Sequence, residues 1–300
     1  IEESEWVSSG FRHIDELCLN LPIRERAVVT GVEPLVDRLN FIQVFGNVKA
    51  ERRALIYVHG FKTSFEDSLK DLCGLLEFTK SYNLNVPFVP ILFSWPGDYG
   101  LFRKYQNAQE TARTAGLSLS QLLATMTRTY LEHPIDLACH SHGANVVLDA
   151  VLQTNFAGLS DVTDKPIEKT IRNLVFFAPD AYAPWFEMAL PKICDAAELV
   201  TNYATRKDAA LKASKLIIRS LKSGRAGQGG LRNLEIENFE NIDVSEVAAG
   251  SAKHSSHLFS PVMVEDVSKL FSGHSAEKRG VHLRPHESGR KGDWMFVLPH

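Results

Sequence analysis

Ser141 sits in the pentapeptide Cys139-His140-Ser141-His142-Gly143, between an apolar run at 135–138 and a helix-like segment at 144–152. A serine held on a tight turn between a strand and a helix is placed to attack an acyl carbon. The attack needs a base to take the serine proton, an acid to orient that base, and two N–H donors for the oxyanion. The turn also needs small residues two before and two after the serine. Gly143 meets this need, and Cys139 stands where a second Gly is usual. A serine here can equally do no more than cap the following helix, so other positions must decide.

The other parts occur in the order Ser, acid, His. Upstream, Ile56-Tyr57-Val58-His59-Gly60-Phe61 reads as a strand ending in His-Gly, where Gly60 lets the chain pass close to a substrate. The backbone amides of Phe61 and His142 are the expected oxyanion donors. Downstream, Asp208 follows the strand-like run 199–204 and is favoured as the acid over its rival, Asp180, which follows the run 174–178. The base falls between a strand at 239–244 and a helix at 261–271, which leaves His254 and His257. His140 and His142 lie inside the turn and cannot readily fold back onto Ser141. His282, His286 and His300 lie beyond the final helix, and His59 reads as a structural partner of its own loop. Trp95, Tyr99 and Tyr182 follow strand ends that face such a site, so they either line an apolar acyl pocket or pack their loops. This chemistry calls for no metal and no organic cofactor.

The elements that must position these residues are legible as an alternation. Short apolar runs at 54–58, 89–94, 135–139, 174–178 and 199–204 are separated by stretches of helical period, which predicts a parallel sheet flanked by helices. Ser64 with Asp67 forms a capping box that starts a helix over 64–79, with Phe65, Leu69, Leu72 and Leu76 on one stripe. A second helix covers about 108–130, its stripe formed by Ala112, Ala115, Leu119, Leu122, Met126 and Tyr130. The stretches 158–169, 223–230 and 273–290 read as loops. The Gly-rich 224–230 follows no clear strand, so a flexible loop is expected there in place of a phosphate cradle. No linker divides the chain. One α/β domain is expected over 1–272, with its core at about 52–272, followed by a tail or extra edge strand over 273–300.

Composition narrows the partners. A formal net charge of -3 offers no electrostatic reason to expect nucleic acid or an anionic membrane, and the basic stretch 207–222 reads as a solvated helix face. No run of about 18 apolar residues is present to form a membrane span. Four cysteines, at 18, 73, 139 and 194, are spaced neither as a zinc site nor as a disulfide framework. A cytoplasmic location is the expectation. The first residues show no basic and apolar leader, but export stays open because the sequence begins at Ile1 in place of Met.

Taken together, the motifs resemble a bacterial family of α/β-hydrolases catalogued as domain of unknown function 900, over about 52–271. The family's V-H-G-Y/F-N is similar to Val58-His59-Gly60-Phe61-Lys62, its S-W-P-S to Ser94-Trp95-Pro96-Gly97, and its A-H-S-M-G to Cys139 through Gly143. Its A-P-D matches Ala178-Pro179-Asp180, and its Y-x-S-x-x-D-x-A-L matches the stretch from Tyr203 to Leu211. A His-Ser pair ahead of Ser-Pro, then an Asp in the closing helix, lines up with His254-Ser255, Ser260-Pro261 and Asp266. The departures are Lys62 for Asn, Gly97 for Ser and His142 for Met.

The resemblance implies an α/β-hydrolase fold, a mostly parallel central sheet with helices on both faces. It puts the triad acid on Asp208 and selects His254 over His257. The expected activity is hydrolysis of a small-molecule carboxylic ester by Ser141, His254 and Asp208 through an acyl-enzyme. An amidase, thioesterase or acyltransferase would use the same residues. A non-catalytic binding module on the same fold is the rival from another class.

Overall fold

The computed structural model describes residues 53–81, 88–97, 103–129, 134–153, 169–217, 224–229, 231, 235–280 and 282–298. Arg53–Val58 forms strand β1, and its side chains alternate between two cores. Ala54, Ile56 and Val58 enter one, while Leu55 and Tyr57 enter the other. All six residues are buried, as a strand covered by helices on both faces requires.

The strands that follow are β2 (Phe88–Phe93), β3 (Ile135–His140), β4 (Ile171–Phe177), β5 (Ala197–Ala204), β6 (Phe239–Asp243), β7 (Leu283–Pro285) and β8 (Asp293–Phe296). They lie in the order β2-β1-β3-β4-β5-β6-β8-β7. Every pairing is parallel except β7 against β8. The segment 273–300 thus supplies two strands, with β8 inside the sheet and β7 at its edge.

The helices are α1 (Phe65–Ser81), α2 (Arg103–Thr129), α3 (Gly143–Gln153), α4 (Ala183–Ala196), α5 (Ala209–Ile217), α6 (Ser256–Phe259) and α7 (Pro261–Phe271). The capping box holds, because the Asp67 amide donates to Ser64 Oγ at 3.0 Å. Leu119 of α2, Val147 of α3 and Phe186 of α4 pack against Ile56, Leu137 and Phe176 on one face. Leu72 and Leu75 of α1 join Val267 and Phe271 of α7 on the other. Each such leucine or phenylalanine contributes about 1.5–3 kcal/mol by leaving water.

Two buried charge clusters tie distant parts of the chain to this sheet. Arg279, 1 % exposed, places Nη1 2.7 Å from Glu240 Oε2 and Nε 2.9 Å from Asp266 Oδ1. Asp266 Oδ2 also accepts the Tyr203 hydroxyl at 2.5 Å. At the start of β1, Arg53 Nε lies 3.3 Å from Asp136, whose other oxygen accepts Asn173 Nδ2 at 2.6 Å.

The chain reverses its direction across the sheet between β1 and β3. Ligands in open α/β sheets bind at such a switch point, beyond the carboxyl ends of the strands. His59 through Phe61 leaves one of these ends, and Ser141 leaves the other.

Candidate active site

Ser141 follows the last residue of β3 and has φ 54, a left-handed conformation that costs a non-glycine residue about 1–3 kcal/mol. Backbone bonds from both sides hold it there. Its amide donates to Phe177 O at 2.9 Å, and its carbonyl accepts Asp180 N at 2.9 Å and Ala144 N at 3.1 Å. The small residues around it have a steric reason. A Cβ on Gly143 would lie 2.5 Å from His59 O and 2.7 Å from Val58 O, so only glycine lets α3 start against the end of β1. A Cβ on Gly60 would meet Ser141 Cβ at 3.0 Å. Cys139, in the other small position, is buried among the first core and its thiol points at Val175 O, 3.6 Å away.

The loop after β1 is clipped to the end of β2 by His59, which is 1 % exposed. Its Nε2 accepts the Trp95 amide at 3.1 Å, so the proton sits on Nδ1, which donates to Gly60 O at 2.9 Å. Burial lowers the His59 pKa, against the pull of the bond to Gly60. The Trp95 indole N–H donates to His59 O at 2.8 Å, and its ring lies between those of His59 and His142. Trp95 is 3 % exposed, so it braces the two loops instead of presenting a free aromatic face. The Phe61 and His142 rings meet edge to face at 6.3 Å, which brings together the two segments expected to carry the oxyanion donors. Lys62, where the family carries Asn, has φ 58, a region that Asn tolerates better than Lys.

The carboxylate that faces His254 is that of Asp208. His254 Nδ1 lies 2.6 Å from Asp208 Oδ2, and the Asp208 side chain is fully buried while that of His254 is 15 % exposed. Asp208 Oδ1 accepts the Leu211 amide at 2.8 Å and so caps the start of α5. The turn bearing His254 is itself unusual. Ala252 and Lys253, just before it, have φ 52 and 57.

His257, the alternative base, is 1 % exposed and stacked on Phe177 with ring centroids 4.3 Å apart. The rival acid, Asp180, faces elsewhere. Its Oδ1 accepts Ser214 Oγ at 2.8 Å and lies 3.2 Å from Arg225 Nε, while Oδ2 lies 3.9 Å from His142 Nδ1. Asn145 Nδ2 donates to the Asp180 carbonyl at 3.0 Å, which completes a buried brace under the elbow.

Arg225 belongs to the Gly-rich stretch expected as a flexible loop, and there the structure differs. Arg225, Ala226 and Gly227 are buried, and the 3-10 turn Ala226–Gln228 stitches two strand ends together. Gly227 N donates to Pro179 O at 2.9 Å, and Gly227 O accepts Thr205 N at 2.8 Å. A Cβ on Gly227 would fall 2.5 Å from the Ala178 carbonyl carbon, so close backbone packing, not flexibility, is what the glycine serves. Composition carries no sign of this, because the contact is with residues almost fifty positions away.

Of the residues expected to touch substrate, Tyr182 is 42 % exposed at the start of α4, with Trp185 and Met188 also exposed on the same helix. Tyr99 lies outside the described residues. A small cleft beside the base loop is lined by Phe177, Tyr203, Val244, His254, His257 and Met263 among others. Among the described residues, no helix is long and apolar enough to cross a membrane.

Solved structures of known proteins match this chain at low identity. A predicted CIB-like hydrolase from Thermoplasma acidophilum is 13% identical, with 76% of this chain and 89% of that one covered and a TM-score of 0.41. A cutinase from Trichoderma reesei, solved with a phosphonate inhibitor, is 8% identical over 78% of this chain and 83% of its own, TM-score 0.34. Esterase B from Lactobacillus rhamnosis, also phosphonate-inhibited, is 10% identical over 77% and 80%, TM-score 0.36. No curated protein matches the chain. The model of one family matches residues 40–271, and by that match the chain belongs to the alpha/beta hydrolases of unknown function, DUF900.

Proposed function

We propose that the protein is a serine hydrolase acting on a carboxylic ester. The observation that carries this reading is the Asp208–His254 pair at 2.6 Å, formed by residues that are 46 positions apart and delivered by separate loops. A buried carboxylate on Nδ1 fixes the tautomer that leaves Nε2 free of its proton, the form a general base needs. In this reading, His254 takes the Ser141 proton as Oγ adds to the ester carbonyl. It returns that proton to the leaving alcohol as the tetrahedral intermediate collapses, and water then releases the acid from Ser141 by the same route.

The Phe61 and His142 amides are the proposed donors to the oxyanion, each worth about 3 kcal/mol. The φ of 54 at Ser141 supports the assignment of the nucleophile, and the close packing of Gly60 and Gly143 around its turn fits the tight strand-to-helix bend such a serine needs. An ester with an apolar acyl group is favoured by Tyr182, Trp185 and Met188. These exposed side chains begin two residues after Asp180, whose amide bonds the Ser141 carbonyl.

The test is reaction with a fluorophosphonate and turnover of p-nitrophenyl esters of graded chain length. The expected result is an adduct on Ser141 and hydrolysis abolished by Ser141→Ala. Full turnover by that variant, or an adduct on another residue, overturns the proposal.

A further inference from the structure

We propose that His140, the residue before the nucleophile, is a positioning residue for His254. The inference rests on the reading of Ser141, His254 and Asp208 as a triad. Asp208 holds the His254 ring at Nδ1, but where the ring points also depends on its backbone. The backbone reaches His254 through Ala252 and Lys253, both left-handed, a turn that these residues do not favour on their own. Contacts from outside the turn must therefore set it.

His140 supplies one at the base's own peptide, with Nε2 3.2 Å from the His254 carbonyl oxygen. A carbonyl only accepts, so Nε2 carries a proton and donates it. The His140 ring lies 4.6 Å from the His254 ring and 4.7 Å from the His257 ring, tilted by 48° and 45°. His257 in turn stacks on Phe177, the last residue of β4, with only 7° between the planes. Contacts among four rings thus join the base loop to the ends of β3 and β4. Because His140 and Ser141 are consecutive, nucleophile and base are aligned from one short piece of chain.

Two substitutions in the full chain separate the hydrogen bond from the ring. His140→Phe fills the space without a donor, and His140→Gln offers an N–H at similar reach. The readouts are the rate of fluorophosphonate adduct formation on Ser141, kcat and KM for a p-nitrophenyl ester, and the melting temperature. H140F is expected to lower kcat and the labelling rate about tenfold or more with KM within about twofold, since a small misplacement of a catalytic group is enough for that. H140Q is expected to recover most of the loss.

Wild-type labelling by H140F, or an H140Q variant as slow as H140F, overturns the proposal. If H140F does not fold, His140→Asn takes its place, with an amide too short to reach the His254 carbonyl and the same expectations. Failure of the wild-type protein to label at Ser141 overturns the triad itself and this role with it. Normal labelling by the wild type together with unchanged rates in the variants overturns the His140 role alone.

Discussion

Asp208 uses its two carboxylate oxygens for two tasks, with Oδ2 on His254 Nδ1 at 2.6 Å and Oδ1 on the Leu211 amide at 2.8 Å. Asp208→Asn keeps an acceptor for the cap but removes the charge that orients the imidazole. It is expected to lower kcat by about 10⁴, as in other triads, with little change in melting. Asp208→Ala should lose the same activity and a further ~1 kcal/mol of stability from the cap. Ester turnover and thermal melting of both variants check this, and equal melting would refute the capping role.

Asp180 should show the reverse pattern. Its partner Arg225 has a side chain only 4 % exposed, so Asp180→Ala strands a buried guanidinium. The expected loss is about 3–5 kcal/mol of stability, seen as a large drop in the denaturation midpoint. Any protein that remains folded should keep the low-field His254–Asp208 proton resonance, which Asp208→Asn abolishes.

The two glycines beside the nucleophile should respond differently to Ala. At Gly143 the new Cβ meets backbone oxygens at 2.5 and 2.7 Å, which cannot move without shifting β1. At Gly60 it meets Ser141 Cβ at 3.0 Å, a contact that a shift of a few tenths of an ångström relieves. Gly143→Ala is expected to express as insoluble protein, and Gly60→Ala to fold but label Ser141 slowly. A soluble, fully active Gly143→Ala would contradict the steric account.

Burial pushes the Asp136 carboxyl up to about 6, against the pull of Arg53 and Asn173. Its unfolded value is near 3.8, so the native state holds this proton more tightly. The contribution is complete below pH ~4 and is lost as the pH rises through about 6. Relative to Asp136→Asn, the wild type should therefore lose on the order of 3 kcal/mol between pH 4 and 7. The slope, read from urea midpoints at several pH values, is the test, because the loss of the Arg53 partner shifts the variant by a constant amount. A slope of opposite sign would overturn the assignment.

Lys62 sits at φ 58 with its amide donating to Gly97 O at 2.8 Å. Lys62→Asn keeps that bond in a conformation Asn tolerates, and should stabilise the fold by about 0.5–1 kcal/mol. A lower melting temperature would mean that the lysine side chain itself contributes at this loop.

The strands were the most legible part of the sequence because the sheet is buried on both faces, which leaves short apolar runs between helical stretches. Each observed strand from β1 to β6 lies within a few residues of a strand-like run in the sequence. Helix α4 is not legible in the sequence because Pro184 and Pro191 break the helical pattern, although Pro184 falls in the tolerated first turn. Family motifs singled out Asp208 and His254, but the brace around Asp180 did not show, since Ser214, Arg225 and Asn145 are ordinary polar residues until the fold brings them together. Trp95 was legible as an aromatic at a strand end. Its role as a brace depends on where His59 and His142 point, which no one-dimensional pattern holds.

The buried Arg279 bears on where the autonomous folding unit ends. The family match stops at 271, yet Glu240 and Asp266 find their counter-charge eight residues later. A polypeptide trimmed to the matched range would keep both carboxylates in the interior and lose the guanidinium that neutralises them. The strand pair that follows would leave with it and expose the edge of β6. The shortest self-sufficient version of this protein is therefore expected to extend past the segment by which its kinship is recognised.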